Sequence, residues 1–397
     1  MPGSLKNLIF ATFIAMCIVS VSGCSSDRSR GIKTQIKGSF PSFKGKQVTL
    51  SEFDVNYAIP IDTVNISEDG SFRFRFYRSG PGFFLLKIDN KNYITLVLDR
   101  EKHIEISTDL PSLRKNYTVK GSVDSELYRD FEMFLEVNRR KVDSLSRNYN
   151  DYQRTRTFRT IKMELDKSYQ EIFNHQLEYT RSFLKNHCGS LSSLLVINRR
   201  FGERKIITEE TDFSYFTLID SCLSLTYPDN KYLAQHKKRI EVFREKLKIE
   251  ELTEKRLAAG KIVPDIGLKD ASGKTVSLHS FRGQPVILYF WASWDTASRA
   301  ANKTLAELLE KKGKKGPSVY AVGLESHKDA WEDAIKADGL QKWTHVTDYM
   351  NIQSPTKSLF NVPGRLPYFV LIDKELVIRY RGNSFEDLSA EISRQQQ

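Results

Sequence analysis

The stretch that most constrains this chain runs from Pro285 to Lys311. Pro285-Val286-Ile287-Leu288-Tyr289-Phe290 is a short apolar run with β-formers, the composition of a strand buried on both faces. Arg299 to Lys311 places its apolar residues at helical spacing. The intervening Trp291-Ala292-Ser293-Trp294-Asp295-Thr296-Ala297-Ser298-Arg299 therefore reads as a strand-to-helix turn. At such a turn Asp295 is placed to cap the helix: its carboxylate accepts an amide three residues on and suits the positive end of the helix dipole, worth about 1 kcal/mol. Ser298 lacks a G-x-S-x-G elbow and an identifiable local base, so the residues give no nucleophilic site there.

The start of the chain has the pattern of an export signal. Lys6 precedes an apolar run from Leu8 to Val21, shorter than the roughly 20 residues that a spanning helix needs, and small residues follow. Val21-Ser22-Gly23-Cys24 resembles a bacterial lipobox, which implies cleavage after Gly23 and a lipid on Cys24. Residues 1–23 are then a signal peptide and 24–30 a short polar tether. The tether has no acidic cluster of the sort associated with export to the outer surface. The expected location is the cell envelope, lipid-anchored at the outer membrane and facing the periplasm. In that compartment Cys188 and Cys222 either form a disulfide or remain two separate buried thiols.

The formal charge is +12, but the excess is spread along the chain rather than gathered into a nucleic-acid footprint. Only Lys311-Lys312-Gly313-Lys314-Lys315 is dense, and it reads as the solvated last turn of a helix. A basic chain on a lipid anchor can also rest against anionic lipid. No nucleic-acid partner, cofactor or metal is expected; His175 and His187 lie singly, without ligand spacing.

Residues 31–120 read as a β-rich domain, a sandwich or barrel of eight short strands separated by turns. Phe72-Arg73-Phe74-Arg75-Phe76 alternates strictly behind an Asp69-Gly70 turn, so Arg73 and Arg75 read as a solvated face. The segment resembles a β-rich domain of unknown function that often precedes envelope thioredoxin-like domains. Over residues 121–250 the apolar period lengthens to that of helices. Leu127, Phe131, Phe134 and Leu135 mark one helix, and Ile161 to Phe183 a long second one. Leu191 to Arg200, Asp212 to Leu225 and Lys231 to Leu247 are expected to follow as helices, and Glu250 to Gly260 as a charged, helical linker.

The last domain, residues 261–397, carries a family resemblance through several ordered motifs. Val263-Pro264-Asp265, Leu268-Lys269-Asp270 and Gly273-Lys274-Thr275-Val276-Ser277-Leu278 resemble the P-D-F-x-L-x-D-x-x-G-x-x-V-x-L opening of TlpA/ResA-like proteins, a branch of the thioredoxin superfamily. The nonapeptide resembles that branch's W-A-S-W-C-x-x-C-R, and Val362-Pro363-Gly364-Arg365-Leu366-Pro367-Tyr368-Phe369-Val370-Leu371-Ile372-Asp373 its V-x-G-x-P-T-x-F-L-I-D. The resemblance implies an α/β thioredoxin-like domain, a mixed sheet with helices on both faces, and thiol-disulfide exchange in the envelope. It also aligns Pro367 with the family's cis-proline, whose loop offers backbone to an extended peptide.

Against that pattern Asp295 and Ser298 stand where the two cysteines belong. A thiolate lowered in pKa by the helix N-terminus attacks a disulfide, and the second sulfur resolves the product; a carboxylate and a hydroxyl do neither. No catalytic residue is therefore expected, and the domain reads as a redox-inactive binding or scaffolding module. Its partner would be an envelope protein or an extended peptide near Trp294, Leu366, Pro367 and Tyr368, with the bulk of Tyr368 in place of the usual Thr narrowing the groove. Pro367 is equally read as inherited geometry without a ligand. The alternative is a thiol-disulfide oxidoreductase of the TlpA/ResA type in envelope redox homeostasis, working through Cys188 and Cys222 or a partner's cysteines.

Overall fold

A computed structural model describes residues 31–54, 57–113, 116–313 and 316–395. Cys24, with its expected lipid, and the end of the lysine run at Lys314-Lys315 lie outside the described residues. The chain divides into two compact units, one ending at Ile240 and the other beginning at Glu241.

The first unit opens with eight strands: β1 (Ile32–Ser39), β2 (Gln47–Asp54), β3 (Tyr57–Asn65), β4 (Ser71–Arg78), β5 (Gly82–Lys87), β6 (Tyr93–Leu98), β7 (His103–Ser107) and β8 (Thr118–Lys120). They form two four-stranded sheets, ordered β4-β1-β7-β8 and β3-β2-β5-β6. Neither closes on itself, so the barrel alternative is set aside. The alternation in β4 sends Phe72, Phe74 and Phe76 inward and leaves Arg73 and Arg75 exposed. Those phenylalanines share one hydrophobic cluster with Ile36 and Ile104 of their own sheet and with Val48, Phe84 and Leu96 of the other.

The helices that follow are α1 (Val123–Tyr152), α2 (Phe158–Asn186), α3 (Ser192–Val196), α4 (Glu209–Thr226) and α5 (Lys231–Arg256). Ser122 caps α1 by accepting the Ser125 amide, and both hydroxyls donate to the carbonyl of Val97 in β6. Phe83 and Val97 of the second sheet join the helical core of Phe131, Phe173, Leu194 and Phe216. The sheet-rich and helical stretches are therefore one compact unit. The helix expected over Leu191 to Arg200 stops at Val196, because Arg200 enters a hairpin of β9 (Arg200–Phe201) and β10 (Arg204–Lys205) that turns through Gly202 at φ +61°. The charged stretch after Leu247 continues α5 as far as Arg256.

The second unit holds β11 (Gly267–Asp270), β12 (Thr275–Ser277), β13 (Val286–Trp291), α6 (Thr296–Lys312), β14 (Ser318–Gly323), α7 (Lys328–Ala337), β15 (Thr344–Thr347), α8 (Pro355–Leu359), β16 (Tyr368–Ile372), β17 (Ile378–Gly382) and α9 (Phe385–Arg394). The strands make one mixed seven-stranded sheet, β12-β11-β15-β14-β13-β16-β17. β13, β14 and β15 run parallel, and β16 lies antiparallel to β13. All six side chains of β13 are buried, as a strand covered on both faces requires. Ile287, Tyr289 and Trp291 pack with Leu305 of α6, Trp331 of α7 and Leu388 of α9. Val286, Leu288 and Phe290 face the other way, toward Leu257, Leu278 and Phe360.

Candidate functional site

The turn after β13 is closed by its own polar groups. Asp295 is the N-cap of α6, with φ −95° and ψ 115°. Its Oδ2 accepts the Ser298 amide at 2.8 Å and the Ser298 hydroxyl at 2.7 Å. Ser298 is fully buried, and its carbonyl accepts the Tyr289 hydroxyl at 3.2 Å. The side chains at the two cysteine-equivalent positions thus bond to each other. The Ser298 hydroxyl is out of reach of solvent, and neither a hydroxyl nor a carboxylate can exchange with a disulfide as a thiolate does.

Two polar groups flank this turn, and neither is evident from the local sequence. Asp338, just past α7, accepts Arg299 Nε and a second guanidinium nitrogen, both at 2.6 Å, and Asn302 Nδ2 at 2.7 Å; Tyr289 also donates to Asn302 Oδ1. Burial works against the Asp338 carboxylate, yet hydrogen bonds from Arg299 and Asn302 together hold its pKa below the ordinary value. On the other side Glu325, 2% exposed, accepts the Ser293 amide at 2.5 Å and the Ser293 hydroxyl at 2.8 Å. Burial raises its pKa despite those bonds. A carboxyl directly after the apolar strand β14 was the available signal for Glu325. Asp338 lies 39 residues from Arg299 and gave none.

Trp294 stands out of the turn at 55% exposure, with its indole N–H held by the carbonyl of Leu324 at 3.1 Å. The Leu366-Pro367 peptide bond is cis. Leu366 is buried in the same hydrophobic cluster as Ala292 of the turn. No hydrogen bond joins the turn to the proline loop among the described residues. Asn383 Nδ2 donates to the carbonyls of Arg365 and Pro367, at 2.9 and 2.6 Å, while the amide and carbonyl of Leu366 between them have no partner among the described residues. Tyr368 lies in the core, 7% exposed, opposite Phe290 and with the Arg381 guanidinium 5.9 Å from its ring. Its bulk is spent inward, which leaves Trp294 as the exposed side chain of the expected groove.

Cys188 and Cys222 form a disulfide with a Cα–Cα distance of 5.7 Å, joining the end of α2 to α4. It belongs to the first unit, and the turn at Asp295 to the second. His175 rests on Phe134 and His187 on Phe183 as ring contacts. No metal-binding group of His, Cys, Asp and Glu occurs among the described residues, and no described helix is long and apolar enough to cross a membrane.

A mixed sheet whose central strand feeds a helix through this turn, with a cis-proline loop leading into the neighbouring strand, defines the second unit as a thioredoxin-like domain. Residues 259–381 match the AhpC/TSA family, and residues 34–128 match a domain of unknown function, DUF4369. Peroxiredoxin Q, chloroplastic, of Triticum aestivum is 30% identical over 135 residues, covering 32% of this chain and 60% of that one. Thiol-disulfide oxidoreductase ResA of Bacillus cereus is 29% identical over 122 residues, covering 30% of this chain and 66% of that one. A solved thiol-disulfide oxidoreductase from Bacteroides fragilis NCTC 9343 is 28% identical, covering 34% of this chain and 99% of that chain at a TM-score of 0.32. The chain thus spans about 60% of the length of the first of these curated relatives. Its thioredoxin-like domain is similar to AhpC/TSA-family proteins and to ResA-type thiol-disulfide oxidoreductases.

Proposed function

We propose that this protein is an envelope lipoprotein whose thioredoxin-like domain no longer exchanges thiols and instead binds an extended peptide or an envelope protein. The observation that carries the reading is the Asp295–Ser298 pair, bonded to itself at both the amide and the hydroxyl. A thiolate mechanism has no atom to start from at that turn. The peptide would add as a strand to the Leu366 backbone, whose amide and carbonyl have no partner among the described residues while Asn383 occupies the carbonyls on either side. Trp294, exposed and held by its indole N–H, supplies an apolar wall for the same peptide. The lipid on Cys24 would hold the protein at the outer membrane, facing the periplasm. The two sheets of the first unit are read as an open sandwich.

The ResA-type relatives keep a second reading in view, that of a thiol-disulfide oxidoreductase. Its internal basis is the Cys188–Cys222 disulfide, which sits between helices and outside any C-x-x-C turn. An insulin-disulfide reduction assay separates the two. The natural chain is expected to give no turnover, and Asp295→Cys combined with Ser298→Cys is expected to create it, since the scaffold around the turn is kept. Turnover by the natural chain that disappears with Cys188→Ser and Cys222→Ser would transfer the activity to that pair and defeat the binding-module reading.

A further inference from the structure

The outer face of the β4-β1-β7-β8 sheet carries a charge pattern that the binding-module reading does not use. Strand alternation turns Lys33 and Lys37 of β1, Arg73 and Arg75 of β4 and Lys120 of β8 to the outside, all exposed. The pairing register sets Lys37 beside Arg73, and Gln35 between Arg75 and His103. Arg100 and Lys102, from the turn into β7, join Lys33, Arg75 and the exposed Tyr77 around an open depression of about 980 Å³. Among the described residues, Glu105 is the one carboxylate at an outward strand position of this sheet. Glu101, next to Lys102, is turned inward to the buried Arg78 at 3.8 Å. None of the cations named on this face makes an ion pair or a side-chain hydrogen bond with another described residue. Glu105 stands in register between Lys37 and Lys120, so one outward carboxylate faces seven cations and the face keeps a large positive excess.

We propose that this sheet face docks on an anionic lipid bilayer. Two observations commit it to a membrane. The first is charge complementarity: a basic sheet face with an exposed tyrosine matches a plane of phosphate headgroups, to which each lysine or arginine adds about a five-fold increase in binding. The second is where the chain lies before the sheet. β1 begins at Ile32, and Cys24 stands eight residues earlier, so a lipid there is tethered within about 28 Å of the first strand. The sheet's four strands span only about 15 Å. An anchor that short keeps this face within reach of the bilayer.

The test is lysine footprinting of the full chain on vesicles. Amine labelling at Lys33, Lys37, Lys102 and Lys120 is read by mass spectrometry with neutral phosphatidylcholine vesicles and with vesicles containing phosphatidylglycerol. Labelling of these four is expected to fall at least about five-fold on the anionic vesicles and to recover in high salt, with Lys374 of the second unit unchanged as control. Arg73→Glu with Arg75→Glu, both exposed strand positions, is expected to abolish the protection. Equal labelling on the two kinds of vesicle overturns the proposal. So does protection that survives the two charge reversals, because the anchor alone would then explain it. Protection by a short duplex oligonucleotide but not by anionic vesicles overturns it in favour of a nucleic-acid face. None of these readouts depends on whether the thioredoxin-like domain binds peptide.

Discussion

Asp295 does two jobs with one oxygen, and removing it separates them. Asp295→Ala takes the cap from the α6 amides and leaves the Ser298 hydroxyl buried without its acceptor. The first loss costs about 1 kcal/mol and the second roughly 1 to 3 kcal/mol. The domain is expected to lose about 2 to 4 kcal/mol in urea unfolding followed by tryptophan fluorescence. Glu325 gives a pH signature with a definite sign. Its folded pKa is raised by burial, so the folded state holds the proton more tightly than the unfolded state. Stability is full below the ordinary glutamate pKa, falls as pH rises through the window up to the raised value, and is level above it. Glu325→Gln removes that slope, because a neutral amide can accept the Ser293 amide at any pH. The variant is therefore expected to gain stability relative to the natural chain as pH rises above the ordinary glutamate range, and a parallel pair of curves would refute this. The cap was legible in the sequence because its partners lie three residues away. The partners of Asp338 and Asn383 were not, since they are met only after the chain folds back, 39 and 16 to 18 residues away.

At the scale of elements, β14 shows how closely this sheet is fitted to its helices. A Cβ on Gly323, the last residue of β14, would lie 2.6 Å from Trp331 Nε1 and 3.2 Å from Glu325 Cγ. The Trp331 ring of α7 is fully buried and has no room to retreat. Gly323→Ala is therefore expected to destabilise the domain by about 1 to 3 kcal/mol, read by the same fluorescence midpoint. A variant as stable as the natural chain would mean that α7 shifts freely over the sheet. The long elements could be read from the sequence because their periods are sustained: β4 alternates over its whole length, and α1 and α2 hold a 3.6-residue stripe. The β9–β10 hairpin could not, because two-residue strands have no period and Leu191 to Arg200 looks helical when read alone. The barrel alternative failed for a related reason. Strand count and spacing say how many strands there are, and only pairing says whether the ends meet.

At the scale of the whole molecule, two compact units and one crosslink make separable unfolding the expected behaviour. All four tryptophans, Trp291, Trp294, Trp331 and Trp343, lie in the second unit, so their fluorescence reports that unit alone. The Cys188–Cys222 disulfide closes a loop of 34 residues wholly within the first unit. In the chain-entropy description, a loop of that length stabilises the folded state by about 3 to 4 kcal/mol. A dithiol reductant should therefore lower the helix-rich transition seen by far-ultraviolet circular dichroism and leave the tryptophan transition in place. Cys188→Ser with Cys222→Ser should reproduce that shift and make the chain insensitive to reductant. Among the described elements, α5 runs across the boundary, beginning at Lys231 and ending at Arg256. If reduction moved both transitions together, α5 would be transmitting the loss and the units would be one cooperative body. If reduction moved neither, the crosslink would be dispensable, and the packing of Phe131, Phe183 and Leu191 would suffice to hold the helices.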